Sequence, residues 1–162
     1  MITQSELKEI LHYCPETGVF TWRISLSRIR IGAIAGTKNH HGFIFIQVSG
    51  KKYSAAILAW LYSYGERPKD FINHINNIKD DNRLCNLRES TRQQSCFTSA
   101  KARNRTSKMK GVFFSTFKNK WESQARLNYK CINLGAFDTQ EEAFKAYDSF
   151  AKSNHGEFYR KN

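Results

Sequence analysis

The sequence predicts an α+β protein made of two modules. Stretches with apolar residues at helical spacing occur in both halves of the chain, and runs typical of strands lie between them. A basic segment without proline separates the halves, and 162 residues suffice for one ordinary domain or two small ones. We therefore expect an N-terminal domain over residues 1–100, a basic linker over 101–107 and a C-terminal domain over 108–162.

The first half predicts helices and strands in alternation. Thr3 or Ser5 can cap a helix that runs to about Tyr13, and Gly65 can end a helix over Ala55–Tyr64. Residues 76–86 are expected to form a polar loop or a brief helix. The other expected elements are strands over 19–24, 43–48, Lys51–Ser54, 71–75 and Leu87–Ser90, and a helix that begins after Thr91.

The second half predicts strands followed by a helix. Three strands are expected over residues 111–116, 120–128 and 131–134. Thr139 and Glu142 have the spacing of a capping box at the start of a helix, which Gly156 can end. This order predicts a three-stranded antiparallel sheet packed on one helix.

The charge of the chain indicates a polyanionic partner. The 26 Lys and Arg residues exceed the 14 Asp and Glu residues and give a formal net charge of +12. Residues 92–120 hold eight of the basic side chains and no acidic one. Because like charges in one stretch repel each other, we expect duplex DNA as the partner that neutralises them. A membrane partner is not expected, since this stretch has no apolar helical face.

The cysteines argue against a zinc module. The four cysteines form no Cys-x-x-Cys pair, which a zinc ribbon or finger usually needs. Polar residues near the N terminus interrupt the apolar core of a signal peptide. We therefore expect free thiols in a soluble, globular, cytoplasmic protein.

Asn73 and His74 stand together near the end of a predicted strand. A neutral imidazole can take a proton from water, and an amide oxygen can coordinate Mg²⁺ or a similar hard cation. The pair thus suits general-base chemistry beside a metal, although an isolated Asn-His pair can equally cap a loop. The amides of the following segment can likewise be ordinary loop residues: Asn76, Asn77, Asn82 and Asn86.

Short motifs over roughly residues 5–100 share one pattern. They are Pro15-Glu-Thr-Gly18, Gly32-x-x-Ala35-Gly36, Leu58-Ala-Trp-Leu61, Tyr64-Gly65-Glu66, His74-Ile-Asn76, Asp81-Asn-Arg83 and Asn86-Leu-Arg88. Together they resemble the phage-type His-Asn-His (HNH) homing endonucleases in their ββα-metal form. The resemblance implies His74 as general base and Asn86 as the residue that pins the loop between two strands. It also implies Asn73 and Ser95 at the metal-ligand positions, with Mg²⁺ or Mn²⁺ as cofactor.

Three positions depart from that family's pattern. Ser95 stands where the family usually has Asn or His, and Asn73, usually Asp, carries no charge. The usual Ala-His-Arg before Leu-Ala-Trp is Ala55-Ala56-Ile57 here. The departures at Ser95 and Asn73 weaken the expected metal site, and the third removes an Arg that could hold phosphate. They leave open an alternative, a catalytically degenerate protein that binds DNA or inhibits a partner without cutting.

A second set of motifs lies beyond the linker. It consists of Lys110-Gly111-Val112, Trp121, Leu134-Gly135-x-Phe137-Asp138-Thr139, Glu141-Glu142-Ala143, Ala146-Tyr147-Asp148 and His155-Gly156. These residues resemble the DNA-binding domain of plant Apetala-type (ethylene-response) factors, which also occurs fused to phage HNH nucleases. The resemblance implies a three-stranded sheet that lies in the major groove, supported by its helix.

Alternation within residues 120–128 agrees with a sheet that has one polar face. Trp121, Ser123, Ala125 and Leu127 share one face, which suits packing on the helix, and the polar residues between them share the other. Such a face can read base edges, although it can also be merely solvated. The expected DNA-binding residues are Arg92, Lys101, Arg103, Arg105, Lys110, Lys118, Lys120, Gln124, Arg126 and Lys130.

The resemblance therefore implies a metal-dependent HNH-type DNA endonuclease. We expect hydrolysis of phosphodiester bonds in duplex DNA, with site preference supplied by the C-terminal sheet. The expected location is the cytoplasm of a bacterial or phage-infected cell. Duplex DNA is the expected partner, and a protein partner is expected only for the inactive alternative.

Overall fold

The protein has helices and strands in both halves, which is compatible with the predicted α+β class. A computed structural model describes residues 2–26, 29–99, 107 and 109–160. In chain order the elements are α1 (Gln4–Ile10), β1 (Leu11–Cys14), β2 (Val19–Trp22), β3 (Thr37–Lys38), β4 (Ile44–Val48), β5 (Lys51–Ser54), α2 (Ala55–Tyr64), β6 (Phe71–His74), β7 (Leu87–Ser90), α3 (Arg92–Thr98), β8 (Val112–Ser115), β9 (Lys120–Leu127), β10 (Lys130–Phe137) and α4 (Gln140–Asn154). Short 3₁₀ turns occur at Leu84–Asn86 and Gly156–Phe158.

The chain divides into two compact units, Met1–Ser90 and Thr91–Asn162. The predicted linker at 101–107 lies outside the described residues except for Ser107, so the predicted domain boundaries stay a prediction. Within the described part of the chain, every helix is too short or too polar to cross a bilayer.

The first unit contains three small antiparallel sheets and two helices. β1 pairs with β2, β3 with β4 and β4 with β5, and β6 with β7. Helix α2 supplies five of the buried core residues, because its sequence is apolar almost all round. Its core partners come from α1 and the strands, among them Leu7, Tyr13, Phe20 and Ile46.

The first helix is shorter than the sequence predicts. We expected it to run to about Tyr13, but it ends at Ile10 and residues 11–14 form β1. Leu11 and Tyr13 are buried and alternate with exposed His12, and β1 pairs with β2 across the turn at residues 15–18. Pairing with β2 satisfies the backbone of these residues and overrides the helical spacing of the apolar residues before them.

The second unit is an antiparallel sheet in the order β10-β9-β8 with α4 on one face. Ala125 of β9 packs with Tyr147 and Ala151 of α4 in a separate small core. Thr139 caps α4 in a capping box with Glu142, as predicted. Ser123 and Ala125 are buried whereas Gln124 and Arg126 are exposed, so the predicted alternation of β9 is confirmed there.

Candidate functional site

His74 lies at the end of β6, where the chain leaves the sheet for the loop at residues 75–83. In the β6–β7 ladder His74 stands opposite Leu87, and Asn73 stands opposite Arg88. The chain turns at once, because Asn77 has a positive φ of 62° and donates its backbone N–H to the carbonyl of His74. The strand therefore fixes the backbone of His74, and the loop determines what surrounds its ring.

Asn86 joins the two ends of this loop. Its side-chain oxygen accepts the backbone N–H of Asn76 at 2.9 Å, and its Nδ2 donates to the carbonyl of Asp81 at 2.7 Å. The Asn86 residue is buried, and both contacts are partly buried. The resemblance implies this pinning contact for Asn86. We expect the loop to lose its shape without it, since two backbone groups would lose their hydrogen-bond partners.

An ion pair stabilises the tip of the loop. The Arg83 guanidinium binds both carboxylate oxygens of Asp81, at 2.8 and 2.6 Å, and Asn76 Nδ2 donates to the same carboxylate. These hydrogen bonds lower the pKa of Asp81 well below its usual range. The charged form of Asp81 is thus stabilised, and its carboxylate links Asn76 to Arg83 within the loop.

The His74 ring is held by Asn82. Asn82 Nδ2 donates to the carbonyl of Asp80 at 3.3 Å, so its Oδ1 faces His74 Nε2 at 3.2 Å. An oxygen acceptor at that distance places the hydrogen of the neutral ring on Nε2. The lone pair of the ring then resides on Nδ1, the nitrogen available to accept a proton.

Burial keeps His74 neutral. The residue is only 6% exposed, and desolvation lowers the pKa of its imidazole below the ordinary value of 6.5. The hydrogen bond to Asn82 and the charges of Asp81 and Asp80 raise the pKa, but by less than burial lowers it. The ring is thus unprotonated at neutral pH, the state that a general base needs.

The N-terminal hairpin supports the loop from the other side. Tyr13 Oη donates to the carbonyl of Asn82 at 2.7 Å, and the backbone N–H of Leu84 donates to the carbonyl of Pro15. Gly18 adopts φ +73°, and a Cβ there would lie 2.5 Å from the carbonyl carbon of Asn82. Only glycine allows the turn to approach the loop this closely. Tyr13, Gly18 and Asn82 thus act together to position His74.

From the sequence, Asn82 was interpreted as an ordinary loop amide, and its contact with His74 was not predicted. In the sequence, Asn82 lies eight residues from His74 and 69 residues from Tyr13. The available signal was its place in the Asp81-Asn-Arg83 motif, where a buried amide stands between two charged residues.

Replacement of Asn82 tests its role in positioning His74. In Asn82→Asp, a carboxylate beside the imidazole favours the protonated ring, so we expect the acid limb of the pH–rate profile for the DNA nicking that the resemblance implies to move to higher pH. In Asn82→Ala the ring loses its orientation, and we expect the rate to fall about 10- to 100-fold. For the unmodified protein, the lowered pKa of His74 predicts that the nicking rate stays constant as the pH falls to 6.5 and decreases only at lower pH.

Asn77→Asp provides a matched control in the same loop. It adds the same charge at an exposed position, and we expect a much smaller shift of the acid limb. A pH–rate profile that is identical for the Asn82→Asp variant and the unmodified protein would contradict the assigned contact.

Asn73 has a cation beside its side-chain oxygen. Its Oδ1 accepts a hydrogen bond from Arg88 Nε at 3.2 Å, across the β6–β7 ladder. A hard divalent cation prefers several oxygen ligands, carboxylates among them, and a guanidinium repels it. Among the described residues, no group of three or more His, Cys, Asp and Glu side chains could hold a metal ion. Asn73 can therefore contribute only a neutral oxygen that Arg88 already contacts, which makes it a weak ligand for a divalent cation.

Ser95, at the other expected metal-ligand position, lies in α3 and belongs to the second unit. Its backbone N–H donates to Thr91, which caps α3, and its carbonyl accepts the hydroxyls of Thr98 and Ser99. The two expected ligand residues, Asn73 and Ser95, are thus supplied by different units.

The expected DNA-binding residues other than Lys110 divide into three groups: exposed, ion-paired, and outside the described part of the chain. Gln124 and Arg126 project from the exposed face of β9, and Arg92 is exposed at the start of α3. Lys118 and Lys120 are partly exposed and pair with Glu122 and Asp138, respectively. Lys130, at the start of β10, is exposed. Three expected residues lie outside the described part of the chain: Lys101, Arg103 and Arg105.

Lys110 is engaged in a structural contact. Its Nζ donates to the carbonyls of Cys96, Phe97 and Ser99, at 3.1, 2.7 and 3.0 Å, at the C-terminal end of α3. Burial lowers the pKa of this ammonium to about 8. Arg160 donates to the neighbouring carbonyl of Thr98. Two cations thus cap the helix, an arrangement favoured by its dipole. Lys110 is therefore not among the proposed DNA contacts.

One of three comparisons with known proteins gives a match, and it covers the segment that contains His74. Comparison of the chain with curated proteins and with solved structures gives no match. Residues 53–95 match the family model described as HNH endonuclease, a segment that includes β6, the loop, β7 and part of α3. This match supports an HNH-type nuclease that acts on DNA.

Proposed function

We propose that the protein is an HNH-type DNA endonuclease in which His74 is the general base. The observation that supports this best is the His74–Asn82 contact, which gives a buried, neutral imidazole with its lone pair on Nδ1. It lies within the segment that matches the HNH endonuclease family. A positioned base of this kind is what hydrolysis of a phosphodiester needs.

In the proposed reaction, His74 Nδ1 takes a proton from a water molecule. The water oxygen then forms a bond to phosphorus, and the leaving oxygen departs with the electron pair of the broken P–O bond. Loss of water's proton makes the attacking oxygen a better nucleophile, which is the contribution of a general base. Asn82 keeps the acceptor nitrogen in place, and Asn86 maintains the loop that carries Asn82.

HNH nucleases generally use a divalent metal, and we propose that this chain uses one weakly. Asn73 and Ser95 are the proposed ligands, both neutral, and Arg88 competes for the oxygen of Asn73. A metal bound there would stabilise negative charge on the phosphate. Because the protein supplies no anionic ligand at these positions, DNA phosphate has to provide the charge.

We propose that the second unit supplies site preference. Gln124 and Arg126 stand on the exposed face of β9, where a side chain of this type can bind adenine or guanine edges in the major groove. The proposed phosphate contacts come from Arg92, Lys101, Arg103, Arg105, Lys118, Lys120 and Lys130. The motifs resemble phage-type homing endonucleases with an Apetala-type domain, and we propose that architecture and a cytoplasmic location.

A second candidate function is DNA binding without cleavage. The contact between Asn73 and Arg88 favours it, since a cation at the expected metal position weakens metal binding. In that case the protein would occupy DNA or inhibit a protein partner.

The two functions are separated by a nicking assay on supercoiled plasmid. The protein is incubated with Mg²⁺, Mn²⁺ or a chelator, and affinity for the same duplex is measured at several salt concentrations. An endonuclease nicks the plasmid with metal present, whereas the alternative leaves it intact and still binds it. In both cases affinity should fall steeply with salt, because phosphate contacts release counterions.

Asn73→Asp tests whether weak metal binding limits cleavage. A carboxylate at this position adds an anionic ligand and neutralises Arg88, so we expect the metal concentration at half-maximal nicking to fall about tenfold. Ser95→Asn is expected to act in the same direction, and Asn73→Ala in the opposite one. An unchanged metal requirement in Asn73→Asp would show that another step limits the reaction.

A further inference from the structure

A cleft in the second unit lies between α3 and the end of β9. It encloses about 570 Å³, within the range of roughly 300–1,000 Å³ that is usual for small-molecule sites. Among the described residues, β8 pairs with β9 as far as Ser123, and the last residues of β9 pair with β10 on the other side. The cleft lies beside this end of β9.

The interior of the cleft is apolar and aromatic. Phe97 of α3, Ala125 of β9 and Tyr147 of α4 line it and are buried. The His155 ring stacks on Phe97, with 3.8 Å between the ring centroids and 7° between the planes. Flat rings in a recess of this size suit a planar heteroaromatic group.

The entrance of the cleft is cationic. Arg92 and Arg126 line it and are exposed, and among its described lining residues none is acidic. Lys110 also lines the cleft, but its ammonium is bonded to α3. Gln124 and Arg126 belong both to the cleft and to the polar face of β9, so the cleft adjoins the proposed DNA surface.

Tyr129 stands at the cleft in an unfavourable backbone conformation. The two-residue turn between β9 and β10 has positive φ at Asn128 (49°) and Tyr129 (62°), the pattern of a turn that favours glycine at its second position. A tyrosine there is strained, and its ring is 74% exposed. Because this strained conformation occurs at the cleft, we infer that the Tyr129 side chain has a function there.

We propose that this cleft receives one unpaired nucleotide of the bound DNA, with its base stacked on Tyr129 and its phosphate held by Arg92. The inference rests on the proposed DNA binding but not on cleavage. Aromatic side chains bind unpaired bases by stacking, and an arginine beside them neutralises the backbone. An unpaired base enters such a recess at lower cost than a paired one, because no base pair has to open.

The test compares a matched duplex with the same duplex carrying a one-nucleotide bulge. Binding is measured by fluorescence anisotropy without divalent cations, so that cleavage plays no part. The full chain should bind the bulged duplex at least about fivefold more tightly than the matched one. Equal affinity for the two duplexes would overturn this inference and leave the proposed DNA interface standing, whereas binding to neither would overturn both.

Variants of Tyr129 and Cys96 test whether the cleft causes the preference for the bulged duplex. Tyr129→Gly should raise the urea midpoint of unfolding, because glycine suits the turn, and yet abolish the preference for the bulge. Tyr129→Phe should retain the preference. Cys96 is exposed and lines the cleft, so Cys96→Trp should fill it and remove the preference, whereas Ser149→Trp on the exposed side of α4 should not. A preference that survives both Tyr129→Gly and Cys96→Trp would overturn the inference.

Discussion

Alanine in place of His74 is expected to reduce plasmid nicking at least about a hundredfold, the usual range for loss of a general base. The reason is the position of the ring: it is buried at the end of β6, neutral, and oriented by Asn82 so that Nδ1 accepts the proton. Nicking rates are measured on supercoiled plasmid at a fixed metal concentration, and DNA affinity is measured in parallel. Affinity should change little, because the imidazole carries no charge at neutral pH.

Two controls separate chemistry from folding. His12 is exposed in β1, so His12→Ala should nick DNA at the rate of the unmodified protein. Added imidazole should partly restore nicking by His74→Ala, since the substitution leaves a space of that shape. Nicking by His74→Ala at an undiminished rate would show that the proposed base is wrong.

Alanine at Gly18 is expected to destabilise the protein far more than alanine at Gly50. Both glycines have a positive φ, +73° and +75°, so either substitution should cost about 1–2 kcal/mol of unfolding free energy through backbone strain. A Cβ at Gly50 would meet no atom within 4 Å, whereas one at Gly18 would overlap the backbone of Asn82 and Arg83. That overlap should add about 1–3 kcal/mol, the usual range for overpacking.

The same pair of variants links stability to the proposed activity. Relief of the overlap requires the loop that carries Asn82 to move, so Gly18→Ala should also nick DNA more slowly, and Gly50→Ala should not. Urea unfolding and nicking rates are measured for both. Equal unfolding free energies for the two variants would contradict the close approach of the turn to the loop.

Local signals were sufficient for many of the elements. Helix α2 has the bounds that its apolar run and Gly65 predicted, and Gly65 adopts the left-handed conformation at its end. The predicted capping box at Thr139 is present, and Thr91 caps the helix that was expected to follow it. These features depend on residues within a few positions of each other, which is why composition and spacing reveal them.

Features that depend on distant partners were not predictable in the same way. Residues 11–14 become a strand because of pairing with β2, and β3 is only two residues long and is defined by its pairing with β4. In the candidate site, the motifs indicated His74 and Asn86. The contribution of Asn82 depends on a ring contact and on Tyr13, 69 residues away, which no local pattern encodes.

The capping of α3 affects how the chain can be divided for experiments. The last carbonyls of this helix receive their donors from Lys110 and Arg160, both well beyond its end in sequence. A fragment that stops at residue 107 would carry α3 with those carbonyls exposed to solvent and with Phe97 stripped of its stacking partner, His155. Ser95 would then stand on a fraying helix. An inactive fragment of that kind would report damage to α3 and would not test whether the proposed nuclease activity depends on the rest of the second unit.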